Sequence, residues 1–170
     1  MHNLQWLNSL PAAAATTQLL QCCGSKRWAT QMAGARPYEN FADVIAHANE
    51  IWWSLDRDDW LEAFRSHPKI GEKKSAGTVF AQAQTWSGQE QAGINAASAG
   101  TSDALATLNH DYEQRFGYIF IICATGKTST EMLAALRQRL EHDPEEELPI
   151  AAAEQSKITE LRLKKLLATP

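Results

Sequence analysis

Apolar residues along the chain recur mostly at steps of three and four. Between residues 41 and 55, Phe41, Val44, Ile45, Ala48, Ile51, Trp52 and Leu55 fall on one stripe of a helix, the side that seeks a core. Asp58 and Asp59 precede Trp60, Leu61 and Phe64. That order predicts an N-cap, an acidic first turn and a second short helix ending at His67. Leu105, Leu108, Tyr112 and Phe116 predict another helix, and Met132, Leu133, Leu136 and Leu140 the next. The latter opens with Thr128-Ser129-Thr130-Glu131, a spacing that lets Thr128 and Glu131 each accept from the other's backbone N–H. Pro144 suits the first turn of a last helix running to about Leu167, because a helix start leaves that N–H without an internal partner anyway. Shorter helices are expected around Leu4 to Leu10 and Ala12 to Cys22.

Two stretches depart from this rhythm. Residues 68 to 86 are mixed and polar, with Gly71 and Gly77, and predict a long loop with weak helix near Val79 to Gln84. Residues 118 to 124, YIFIICA, form a continuous apolar run bracketed by Gly117 and Gly126. Periodicity alone does not separate a buried strand from a buried helical turn in so short a run. No second strand pattern exists to pair with it. The expected fold is therefore all-α: a single-domain multi-helix bundle over residues 1–170 with one buried extended segment near residues 118–124. Phe120, Ile122 and Ala124 of that segment would face one way.

Composition narrows the function more than the fold. A chain of 170 residues buries roughly two thirds of its unfolded surface as one domain. The 20 acidic residues against 16 basic ones give a net charge of −4, which disfavours nucleic acid or an anionic membrane as partner. Cys22, Cys23 and Cys123 lack C-x-x-C spacing, so a reduced setting fits them. The start has no basic and apolar leader pattern, and no run of about 18 apolar residues occurs, so neither export nor membrane spanning is expected. The last residues, Ala168-Thr169-Pro170, are not a peroxisomal tripeptide, and a cytoplasmic location is the simplest expectation.

Three places in the chain could carry chemistry. His67 precedes Pro68, which pushes its backbone toward extended geometry and makes its side chain project at a helix end. SGQEQ at 87 to 91 supplies Ser87, a carboxylate at Glu90 and an amide at Gln91. Its S-x-x-E spacing is equally a helix start with Ser87 as the cap, and a helix start also attracts anions. Arg162 lies near the apolar side of the last helix, where an arginine commonly lays its stem over the core with its head in water. The other histidines, His2, His47, His110 and His142, have no special context. No H-E-x-x-H, phosphate loop, G-x-S-x-G or metal-ligand spacing is present, so no metal is expected.

HPKIG at 67 to 71, SGQEQAGI at 87 to 94 and Asn109-x-x-Tyr112-x-x-x-Phe116-Gly117 together resemble the OHCU decarboxylase family. ARPY at 35 to 38, KTSTEMLAAL and KITELRLKKLL extend the resemblance over almost the whole chain. In one departure, many members have proline where this chain has Ile119. The resemblance implies an all-helical, cofactor-free homodimer acting on a small molecule. The reaction would be decarboxylation of 2-oxo-4-hydroxy-4-carboxy-5-ureidoimidazoline (OHCU) to (S)-allantoin, in urate degradation. It implies His67 and Glu90 as catalytic residues. Pro68, Ser87, Gln91, Phe120, Ile122, Ala124 and Arg162 would contact substrate. Two other functions compete with it: a non-enzymatic helical interaction domain, and a hydrolase of a cyclic ureide in the same pathway.

Overall fold

The structure, a computed structural model, describes residues 3–70, 81–95 and 98–168. Its helices are α1 (Leu4–Ser9), α2 (Ala12–Cys22), α3 (Lys26–Gly34), α4 (Phe41–Ser54) and α5 (Arg57–Arg65), followed by α6 (Ala81–Glu90), α7 (Ala92–Asn95), α8 (Ala99–Phe116), α9 (Ser129–Leu140) and α10 (Pro144–Ala168). No strand occurs among the described residues, and the all-α expectation holds. The chain divides into two compact units: Met1–Ala63 with Ser156–Pro170, and Phe64–Gln155.

The first unit is built on α2, α3 and α4. Leu7, Leu19, Trp28, Met32 and Val44 are fully buried there, together with Leu163 and Leu167 of α10. Polar ends inside this core are matched: Trp28 Nε1 donates to the Ala48 carbonyl at 3.1 Å, and Tyr38 Oη to the Met32 carbonyl at 2.6 Å. Helix α3 was not expected, although its apolar positions fall at helical spacing. Ser25 starts it by accepting from the Trp28 N–H, and its buried Trp28, Ala29, Met32 and Ala33 form a stripe on a helix only 9 residues long. The cap of α5 is also shifted from expectation. Asp56, not Asp58 or Asp59, accepts from the N–H groups of Asp58 and Asp59, at 3.1 and 3.2 Å.

The second unit packs α8 against α9. Thr128 and Glu131 make the expected reciprocal cap of α9, and α10 begins at Pro144 as expected. Gly117 ends α8 at φ 81, a left-handed geometry that glycine adopts without steric cost, and its N–H donates to the Glu113 carbonyl at 2.9 Å. The chain then runs extended through Ile119 to Ala124. Phe120, Ile121, Ile122, Cys123 and Ala124 are all buried. Protein therefore covers both sides of the segment, so inward and outward positions do not alternate in burial.

Helix α6 corrects the expectation for residues 68 to 86. It runs Ala81–Glu90, so Ser87 and Glu90 lie in its last turn and do not cap a helix start. The buried positions Ala83, Trp86, Ser87 and Glu90 fall at helical spacing, but half are polar. A stripe of that kind has little apolar signal to read. Most of the expected loop, residues 71–80, lies outside the described residues.

Candidate active site

His67 follows α5, whose last turn closes with the His67 N–H donating to the Phe64 carbonyl at 3.1 Å. Phe64 is fully buried and packs on Tyr118 with ring centroids 5.3 Å apart, which anchors that turn. The imidazole does not project outward. It is buried, and its Nε2 lies 2.6 Å from Oε1 of Gln155 on α10. An amide oxygen only accepts, so a hydrogen bond in this pair requires the tautomer with hydrogen on Nε2. Pro68 follows at intermediate exposure.

Ser87 and Glu90 are both buried on the last turn of α6, and the Gln91 N–H donates to the Ser87 carbonyl at 3.1 Å. The extended segment is held by its backbone. Arg139 Nη1 donates to the Ile121 carbonyl, and the Cys123 N–H donates to Glu154 Oε1 at 3.3 Å. Lys127 Nζ donates to the Cys123 carbonyl at 2.7 Å. Because a trans peptide points its C=O and N–H in opposite directions, these grips direct the N–H and C=O of Ile122 away from Arg139 and Glu154. Burial raises the Cys123 thiol pKa; Lys127 opposes the shift, while the carboxylates of Glu154 and Glu90 add to it.

In the second unit, His67 and the segment from Phe120 to Ala124 are thus each tied to one of two adjacent residues of α10, Gln155 and Glu154. Neither was expected from the sequence. Both sit in AAAEQ, where a polar pair in a helix reads as a solvated face, yet Gln155 is 0% exposed. A buried ionic cluster was missed as well. Glu147 accepts from Arg139 Nε at 2.6 Å and from the Tyr112 hydroxyl, and its other oxygen lies 2.8 Å from His142 Nδ1. His142 therefore has a specific context after all.

Arg162 belongs to the first unit, and its head is not in water. It is 3% exposed, and Nη1 donates to the Gln21 carbonyl at 3.4 Å. Its charge lowers the pKa of Cys23, a thiol that burial nevertheless pushes up to about 12. Among the described residues, no group of three His, Cys, Asp or Glu side chains could hold a metal ion. No helix among them is long and apolar enough to cross a membrane.

A family model described as OHCU decarboxylase matches residues 8–164. The uric acid degradation bifunctional protein TTL of Arabidopsis thaliana is 43% identical over 148 residues, covering 86% of this chain and 45% of that protein. This chain thus spans less than half of that relative. The 2-oxo-4-hydroxy-4-carboxy-5-ureidoimidazoline decarboxylase of Amia calva is 33% identical over 136 residues, or 79% of this chain and 77% of that protein. A crystal structure of OHCU decarboxylase in the presence of (S)-allantoin matches with a TM-score of 0.78 at 41% identity, over 90% of this chain and 99% of that one. With the family model spanning nearly its whole length and these relatives beside it, the chain belongs to the OHCU decarboxylase family.

Proposed function

We propose that this chain decarboxylates OHCU to (S)-allantoin in urate degradation, as a cofactor-free and metal-free cytoplasmic homodimer. Family membership supports the reaction. The single observation that carries it is a buried His67, held at Nε2 and sharing its unit with the buried Ser87 and Glu90 and with the backbone-anchored segment.

Loss of CO2 leaves an electron pair that needs a sink, and the ring imine of OHCU lies beside the carbon bearing carboxylate and hydroxyl. The substrate brings its own acceptor. The protein has to turn the carboxylate out of the ring plane, stabilise the charge that develops and deliver a proton to one face of the neighbouring carbon. His67 acts as general acid/base, since imidazole titrates near neutral pH in its unperturbed state. Glu90 accepts from the substrate hydroxyl and helps orient His67, while Ser87 and Gln91 bond the ring and ureido edges. Arg162 holds a carboxylate or carbonyl oxygen. Pro68 lines the ligand beside His67, and the Phe120–Ala124 segment, with the N–H and C=O of Ile122, completes the grip.

Circular dichroism on freshly generated OHCU tests the proposal. The wild-type chain yields enantiopure allantoin with CO2 release, and His67→Ala lowers the rate by about 10² to 10⁴. Racemic product at the spontaneous rate with the wild-type chain, or full activity in His67→Ala, overturns it.

A further inference from the structure

Resting on that reading, we infer that Gln155 is the positioning residue for His67: its side-chain oxygen selects the imidazole tautomer with hydrogen on Nε2 and so fixes the form in which the ring enters proton transfer. The pair is 2.6 Å apart, and Gln155 is 0% exposed on α10. Burial leaves no water to compete for the amide oxygen, so choosing the other tautomer would set two acceptors against each other at that distance.

The identity of residue 155 matters as much as its place. The chain has a carboxylate one residue earlier, Glu154, but uses it on the Cys123 N–H. The neutral amide is what meets the histidine. A carboxylate there would favour imidazolium and hold the proton; an amide fixes the ring and its tautomer without adding a charge that would hold the proton. One turn of α10 thus serves both halves of the candidate site, with Glu154 gripping the segment's backbone and Gln155 the catalytic ring.

The test uses the full-length protein with ¹⁵N-labelled histidine, read by long-range ¹H–¹⁵N correlation without substrate and assigned with His67→Gln. Wild-type His67 shows the neutral Nε2–H tautomer. Gln155→Leu, close in volume, loses that preference, and its kcat falls about tenfold or more with KM within about twofold, the pattern of a lost transition-state arrangement. Gln155→Glu, nearly isosteric, raises the His67 pKa by about one unit or more, and the corresponding limb of the pH–rate profile moves to higher pH with it. Among the described residues, the charged groups Glu90 on α6, Glu154 on α10 and the Lys69–Glu113 pair at 2.8 Å are unchanged in that variant, so the shift reports position 155. A wild-type Nδ1–H tautomer, or one unaltered in Gln155→Leu, overturns the inference even while OHCU is turned over. Full activity of His67→Ala overturns the catalytic reading instead, and the substrate-free spectrum tells the two failures apart.

Discussion

Cys23 shows what burial does to a single side chain. It is 1% exposed, and its thiol is pushed up to about 12 by burial, against the opposing charge of Arg162 and a hydrogen bond involving Thr159. The unfolded chain releases this proton near 9, whereas the folded chain keeps it to about 12. This contribution to stability is therefore complete below pH 9 and is lost as pH rises toward 12, by about 1.4 kcal/mol per unit at most. Tyr38, Tyr112 and Cys123 are also shifted upward and slope the same way, so the comparison must be with Cys23→Ala. Urea unfolding between pH 9 and 11 should fall more steeply for wild type than for that variant. Parallel slopes would refute this origin.

At the scale of elements, the extended segment is the unusual piece, because it has no sheet to satisfy its backbone. Arg139 takes on that role. Its guanidinium donates to the Ile121 carbonyl, lies 4.6 Å from the Phe120 ring centroid and pairs with Glu147 at 2.6 Å. Glu147 is 0% exposed, so removing Arg139 strands a buried carboxylate. Arg139→Met should cost about 3–5 kcal/mol in denaturant unfolding. Adding Glu147→Leu should recover part of that loss, since no charge is then left alone, although Tyr112 and His142 lose a partner. Arg139→Lys keeps the charge but not the planar fork that serves carbonyl and carboxylate together, and it should fall between wild type and Arg139→Met. A loss under about 1 kcal/mol in Arg139→Met would mean that the segment is held by packing alone.

At the scale of the molecule, the proposed homodimer predicts a sedimenting species of twice the 18.8 kDa chain mass. A single species at the chain mass across the concentrations used for activity would refute it.

How much of all this could be read without coordinates follows from the range of the forces involved. Helices α4, α8, α9 and α10 were legible because stripes, caps and a leading proline are relations within one or two turns. Helices α3 and α6 were not, since the former is only 9 residues long and half of the latter's buried face is polar. His67 was legible through Pro68 and its motif, but its burial was not. Arg162 read as a surface arginine because the carbonyl it meets, that of Gln21, lies 141 positions away.

The sequence alone thus determined the helical class, the extended interruption after Gly117 and the family motif around His67, since each is written in short spacings under local steric and hydrogen-bonding control. Only tertiary structure decided which groups hold that chemistry. Gln155 meets His67 across 88 positions, and Arg139 and Glu154 grip the segment from other helices. Such pairings obey no period: a buried polar side chain takes whatever partner the packed core brings to it, because leaving it unpaired there costs more than the pairing returns.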